Sequence, residues 1–105
     1  MQQVDETWNG RQLEVGVGQR FELALPENPT TGFRWALESK GEPVLVLLGD
    51  AFAPSAGTPG AGGIHRWEFE ASRAGSADLR LTYRRPWGQA GEAARTFALP
   101  VVVAG

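Results

Sequence analysis

The residues able to do chemistry are few. The chain holds one histidine, His65, no cysteine, and serines only at 39, 55, 72 and 76. Nucleophilic catalysis needs a thiol or hydroxyl beside a base that a third group orients. No Cys/His pair exists here, and no Ser/His/Asp arrangement stands out. His65 shares its parity along "IHRWEFE" with Trp67 and Phe69, so it is expected inside, packed or supporting a loop. Glu68 and Glu70 share the other face of that segment and could act as an acid/base pair, but a solvated strand face explains them better. "GTPGAGG" at 57–63 suggests a phosphate cradle, yet it lacks the Lys-Ser/Thr of a P-loop and leads into a strand pattern instead of a helix. The expectation is a protein with no catalytic residues, no metal ligands and no cofactor.

Three connections carry more turn chemistry than linking strands requires: "PENPTTG" at 26–32, "APSAGTPGAGG" at 53–63 and "RRPWGQAGEAAR" at 84–95. Long ordered loops on small domains are more often functional than decorative. In the first, Pro29 stiffens the turn and Gly32 is expected at positive φ. In the second, Gly60, Gly62 and Gly63 permit positive φ and let another backbone approach where a Cβ would block it; an indifferent flexible loop is the alternative. In the third, Trp87 follows Pro86 near the tip, either as an exposed interface anchor or folded back on the edge of the scaffold.

The elements that hold these loops show period-two alternation, the mark of strands with one buried face. Leu13, Val15 and Val17; Phe21, Leu23 and Leu25; Phe33, Trp35 and Leu37; Trp67 and Phe69; Leu79, Leu81 and Tyr83; and Phe97, Leu99, Val101 and Val103 each alternate with polar or small residues. "VLVLL" at 44–48 is expected to be a more fully buried strand. No stretch has a helical period. About seven short strands predict an all-β, immunoglobulin-like antiparallel β-sandwich, one domain over 1–105, without the Cys and Trp spacing of antibody domains. In such a sandwich the three rich connections emerge at one pole and form a composite binding surface.

Bulk properties narrow the partners. A formal net charge of -2 gives no basic face for phosphates, which argues against nucleic acid. With 42% apolar and 21% charged residues the balance is that of a soluble globular protein, and no run nears the roughly 20 apolar residues that span a bilayer, so no membrane partner is expected. "MQQVDETWNG" lacks a basic start followed by an apolar stretch. The compartment is expected to be periplasmic or extracellular if a leader has been removed, and cytoplasmic otherwise.

Taken together, the three loops are similar to a known family. The chain resembles the chagasin-type inhibitors of cysteine peptidases, marked by N-P-T-T-G-aromatic, G-x-G-G and R-P-Trp or Phe. Here they read Asn28-Pro29-Thr30-Thr31-Gly32-Phe33, Gly60-Ala61-Gly62-Gly63 and Arg85-Pro86-Trp87, intact and in order. Phe33 stands where Tyr is common in the family. The resemblance implies a reversible, monomeric inhibitor of papain-like (papain or cathepsin type) peptidases. Residues 28–33 would enter the cleft centrally, with Thr30 and Thr31 near the target's catalytic cysteine and histidine. Gly60–Gly63 would run along the unprimed side, and Arg85 and Trp87 would pack on the primed side. A carbohydrate-binding or adhesion module of β-sandwich type is the competing reading, and it needs several coplanar exposed rings.

Overall fold

The computed structural model describes residues 1–55, 62–85 and 94–105. Eight strands form among them: β1 (Gln2–Val4), β2 (Leu13–Gly16), β3 (Arg20–Glu27), β4 (Arg34–Lys40), β5 (Leu45–Pro54), β6 (Gly63–Ala71), β7 (Gly75–Arg84) and β8 (Arg95–Ala104). Two sheets face one another, ordered β1-β3-β6-β5 and β2-β8-β7-β4. β1 on β3 and β2 on β8 pair in parallel, and the remaining pairings are antiparallel. β1 is the strand that alternation did not reveal, because three residues are too few to show a period.

The alternating residues fill the space between the sheets. Phe21, Leu23 and Leu25 on β3 meet Phe69, Trp67 and His65 across the β3–β6 ladder, and the Phe21 and Phe69 rings stack at 5.3 Å. Leu79, Leu81, Phe97, Leu99 and Val101 supply the facing layer and are buried. Each fully buried side chain of this size contributes about 1.5–3 kcal/mol by leaving water. Trp35 and Trp67 point inward, as their parity predicts.

Two expectations fail. "VLVLL" is not a doubly buried strand: β5 lies at the edge of its sheet, and Val46 and Leu48 remain 40% and 43% exposed. The register on β6 slips between Leu47 and Gly49, which makes Leu48 an extra residue in the ladder. Before the slip Leu45 and Leu47 oppose Ala71 and Phe69; beyond it Asp50 and Phe52 oppose Trp67 and His65. The inward parity therefore switches from odd to even numbers. Val17, placed inward by alternation, is 49% exposed because β2 ends at Gly16 and the chain turns there.

The registers also fix the pole. In one sheet the end of β3 and the end of β5 both meet the start of β6, through Glu27↔Gly63 and Pro54↔Gly63. In the other, the start of β4 and the start of β8 meet the end of β7, through Arg34↔Arg84 and Tyr83↔Arg95. The stems of all three motif-bearing connections thus lie at one end of the sandwich.

Candidate functional site

Residues 28–33 form a tight, exposed wedge held by its own polar groups. Asn28 caps a one-turn 3₁₀ helix, Pro29–Thr31: its Oδ1 accepts from the Thr30 N–H at 3.2 Å and from the Thr30 hydroxyl at 2.5 Å. Proline suits the first position of such a turn, because its missing N–H would have no partner there. The Thr31 N–H and hydroxyl both donate to the Asn28 carbonyl, at 3.2 and 2.7 Å. Gly32 ends the turn at φ 84°, the left-handed conformation its position predicted, and donates its N–H to the Pro29 carbonyl at 3.0 Å. Thr30 and Thr31 are nevertheless exposed. Both threonine hydroxyl protons are used within the wedge, so toward solvent these side chains offer methyl groups and oxygen lone pairs.

The wedge sits on an aromatic platform. The Asn28 N–H donates to the Tyr83 hydroxyl at 3.0 Å, tying a residue after β3 to a strand of the opposite sheet. The Tyr83 ring stacks with Phe33 at 5.6 Å and meets Trp35, tilted by 38°, at 4.9 Å. The Trp35 indole N–H in turn donates to the Pro26 carbonyl at 2.8 Å. The Arg85 guanidinium lies 4.8 Å from the centre of the Phe33 ring, which joins the third motif to the first.

A carboxylate closes the base. Glu27 is 2% exposed, and its Oε2 accepts the Trp35 backbone N–H at 2.8 Å, so one side chain spans the segment from β3 to β4. Oε1 lies 3.0 Å from His65 Nδ1 and 3.7 Å from an Arg34 guanidinium nitrogen. His65 Nε2 is 2.6 Å from Asp50 Oδ2, and the imidazole lies flat on Trp67 at 4.0 Å. Both ring nitrogens face carboxylates, so His65 serves a loop-supporting network and has no nitrogen left to activate a nucleophile.

Gly62 and Gly63 are glycines because of their neighbours in the same chain. At Gly62, φ +78°, a Cβ would stand 2.8 Å from the Glu27 carbonyl and 3.0 Å from Asn28 Cβ. At Gly63 it would stand 2.1 Å from the Ala53 carbonyl oxygen and 2.7 Å from Pro54 Cα. The close approach read from the sequence is thus met first by the protein's own backbone. Asn28–Phe33, Gly62, Gly63 and Arg85 are brought together at the pole; Gly60, Ala61, Pro86 and Trp87 lie outside the described residues.

Sequence reasoning missed Glu27, Asp50 and Tyr83 as supports. Only Glu27 left a signal: it continues the inward parity of Phe21, Leu23 and Leu25, where a carboxylate is out of place unless something buried pairs with it.

The comparisons with known proteins agree with this geometry. The family model described as "Chagasin family peptidase inhibitor I42" matches residues 14–101. Chagasin of Trypanosoma cruzi is 38% identical over 89 residues, which cover 80% of this chain and 81% of that protein. The crystal structure of the cysteine protease inhibitor EhICP2 from Entamoeba histolytica superposes with a TM-score of 0.85, covering 98% of this chain and 94% of that one; at 21% identity this is a likeness of fold. PbICP-C, solved in complex with falcipain-2, matches with a TM-score of 0.66 over 99% of this chain and 91% of its own, at 19% identity. With the stems of the three motif-bearing loops at one pole, a family model spanning most of the sequence and a relative 38% identical over 80% of it, the chain belongs to the chagasin family of peptidase inhibitors.

Proposed function

We propose that the protein, as a monomeric single domain, blocks the active-site cleft of papain-like cysteine peptidases with the pole described above. The observation that carries this reading is the wedge: Thr30 and Thr31 are exposed, yet their backbone N–H groups and hydroxyls all donate to Asn28. A loop that is both exposed and preorganised loses little conformational freedom on binding. It also resists cleavage, because attack requires the carbonyl within about 3–3.5 Å of the nucleophile and aligned with it. Asn28–Phe33 fills the centre of the cleft, and the outward lone pairs of Thr30 and Thr31 accept from the target's catalytic imidazole. Gly60–Gly63 lie along one side of the cleft, and Arg85, Pro86 and Trp87 along the other. PbICP-C, of the same fold, supports the partner class through its complex with falcipain-2.

The sugar-binding reading loses its platform among the described residues. Trp35 and Trp67 are buried, and Trp8 is half-buried beneath the Arg11 guanidinium. Titration of a papain-type enzyme with the protein, followed with a fluorogenic peptide, should abolish activity near equimolar ratio. Full activity in the presence of excess protein would refute the reading.

A further inference from the structure

The histidine at the base of the wedge is placed between two acids. Nδ1 lies 3.0 Å from Glu27 Oε1 and Nε2 lies 2.6 Å from Asp50 Oδ2. A neutral imidazole has one N–H, so one of these contacts would set a nitrogen lone pair against a carboxylate lone pair; an imidazolium donates to both. The three residues come from three strands: Glu27 from β3, His65 from β6 and Asp50 from β5.

Among the described residues, the charged groups around the ring are Glu27, Asp50 and, through Glu27, Arg34 of β4 at 3.7 Å. Arg66, next along β6, points to the other face and pairs with Glu22. Residues 56–61, "AGTPGA", contain no ionisable side chain. Two carboxylates, Arg34 and an imidazolium sum to zero charge. A neutral ring leaves one negative charge in excess where the Glu27 side chain has no contact with water.

We infer that His65, as the bridging imidazolium, is a positioning residue for peptidase binding, an inference that rests on the inhibitory role proposed above. Glu27 already fixes both ends of the wedge through the Trp35 N–H. His65 carries that anchorage to Asp50, and so fastens the second half of β5, the stem of the second loop, to the stem of the first. Asp50 sits on an edge strand with its side chain 46% exposed, so loss of the Nε2 proton releases it to water while Glu27 keeps Nδ1–H. The stem of the second loop is then no longer fastened to that of the first, and inhibition weakens about three- to tenfold, the range of one ordinary hydrogen bond's net contribution, because water takes up part of the lost contact at half-exposed Asp50.

Because His65 is the one histidine in the chain, its ring resonance in a proton NMR titration is unambiguous. Inhibition constants of the wild type, His65→Gln and Asp50→Asn would be measured against one papain-type peptidase between about pH 5 and 8, and the variant-to-wild-type ratio taken at each pH to cancel the enzyme's own titration. The ratio should be largest where His65 is charged and fall toward unity as the pH rises through the His65 midpoint. Asp50→Asn alters an exposed group and carries the test if His65→Gln does not fold. A ratio that stays flat across that midpoint, or a ring that is neutral where inhibition is tightest, overturns the inference while leaving the inhibitor reading intact. Absence of inhibition by the wild type at every pH overturns both.

Discussion

Replacing Tyr83 with Phe removes one oxygen from beneath the wedge and nothing else. The ring keeps its contacts with Phe33 at 5.6 Å and Trp35 at 4.9 Å, while the Asn28 N–H loses its acceptor at 3.0 Å. One backbone hydrogen bond contributes about 0.5–1.5 kcal/mol net, and a donor left without a partner costs about 1–3 kcal/mol when fully buried. The site is only part-buried, so water relieves some of that penalty and the expected cost is about 1–1.5 kcal/mol. In a domain of this size that is a fall in melting temperature of about 5–10 °C. The same contact orders the wedge, so the inhibition constant for a papain-type peptidase should rise about five- to tenfold, since 1.4 kcal/mol is a factor of ten. Calorimetry and a fluorogenic assay on the same preparation check both numbers. Lower stability with unchanged inhibition would show that the wedge geometry does not matter to the target and would refute the central placement of Asn28–Phe33.

The remaining substitutions separate scaffold from contact. Gly63→Ala pushes a Cβ against the Ala53 backbone and should lower unfolding free energy in urea by about 2–3 kcal/mol, typical of overpacking that backbone cannot relieve. Unchanged stability would mean that β5 and β6 part without cost. Gly32→Val forces a branched side chain to φ 84° and should weaken inhibition more than Thr30→Ala does, with the order of the two inhibition constants as the check. Trp87→Ala should weaken inhibition by about 1–3 kcal/mol, the range of interface anchors, without changing the melting temperature.

Much of the fold was legible because burial of one strand face writes itself into the sequence at period two. Phe21, Leu23 and Leu25, or Leu79 and Leu81, lie inward as their spacing requires. The reading failed where a local event broke the period. The extra residue Leu48 in the ladder reverses parity, and nothing in "VLVLLGDAF" distinguishes an edge strand carrying a bulge from a buried run. The wedge was legible through Pro29 and Gly32, whose conformational limits are properties of single residues. Its supports were not, since His65 reaches Glu27 across 38 positions and Asp50 across 15. Such pairings depend on register, which alternation alone leaves open.

A peptidase-blocking wedge faces a conflict that these supports resolve. It must be exposed to reach a cleft, so hydrophobic burial cannot fix it; it must also be rigid, or ordering on binding would consume its affinity. The sandwich meets both demands by carrying polar chemistry just below the surface. Glu27 occupies the fourth inward position of β3, where the apolar core gives out, and its carboxylate satisfies Trp35, His65 and Arg34 at once. Asn28, one residue on, faces outward and does for the wedge what Glu27 does for its base. A buried carboxylate with fewer partners would be destabilising. With these partners it turns the end of a strand into a rigid mount, and the turn chemistry of "PENPTTG" begins at its glutamate.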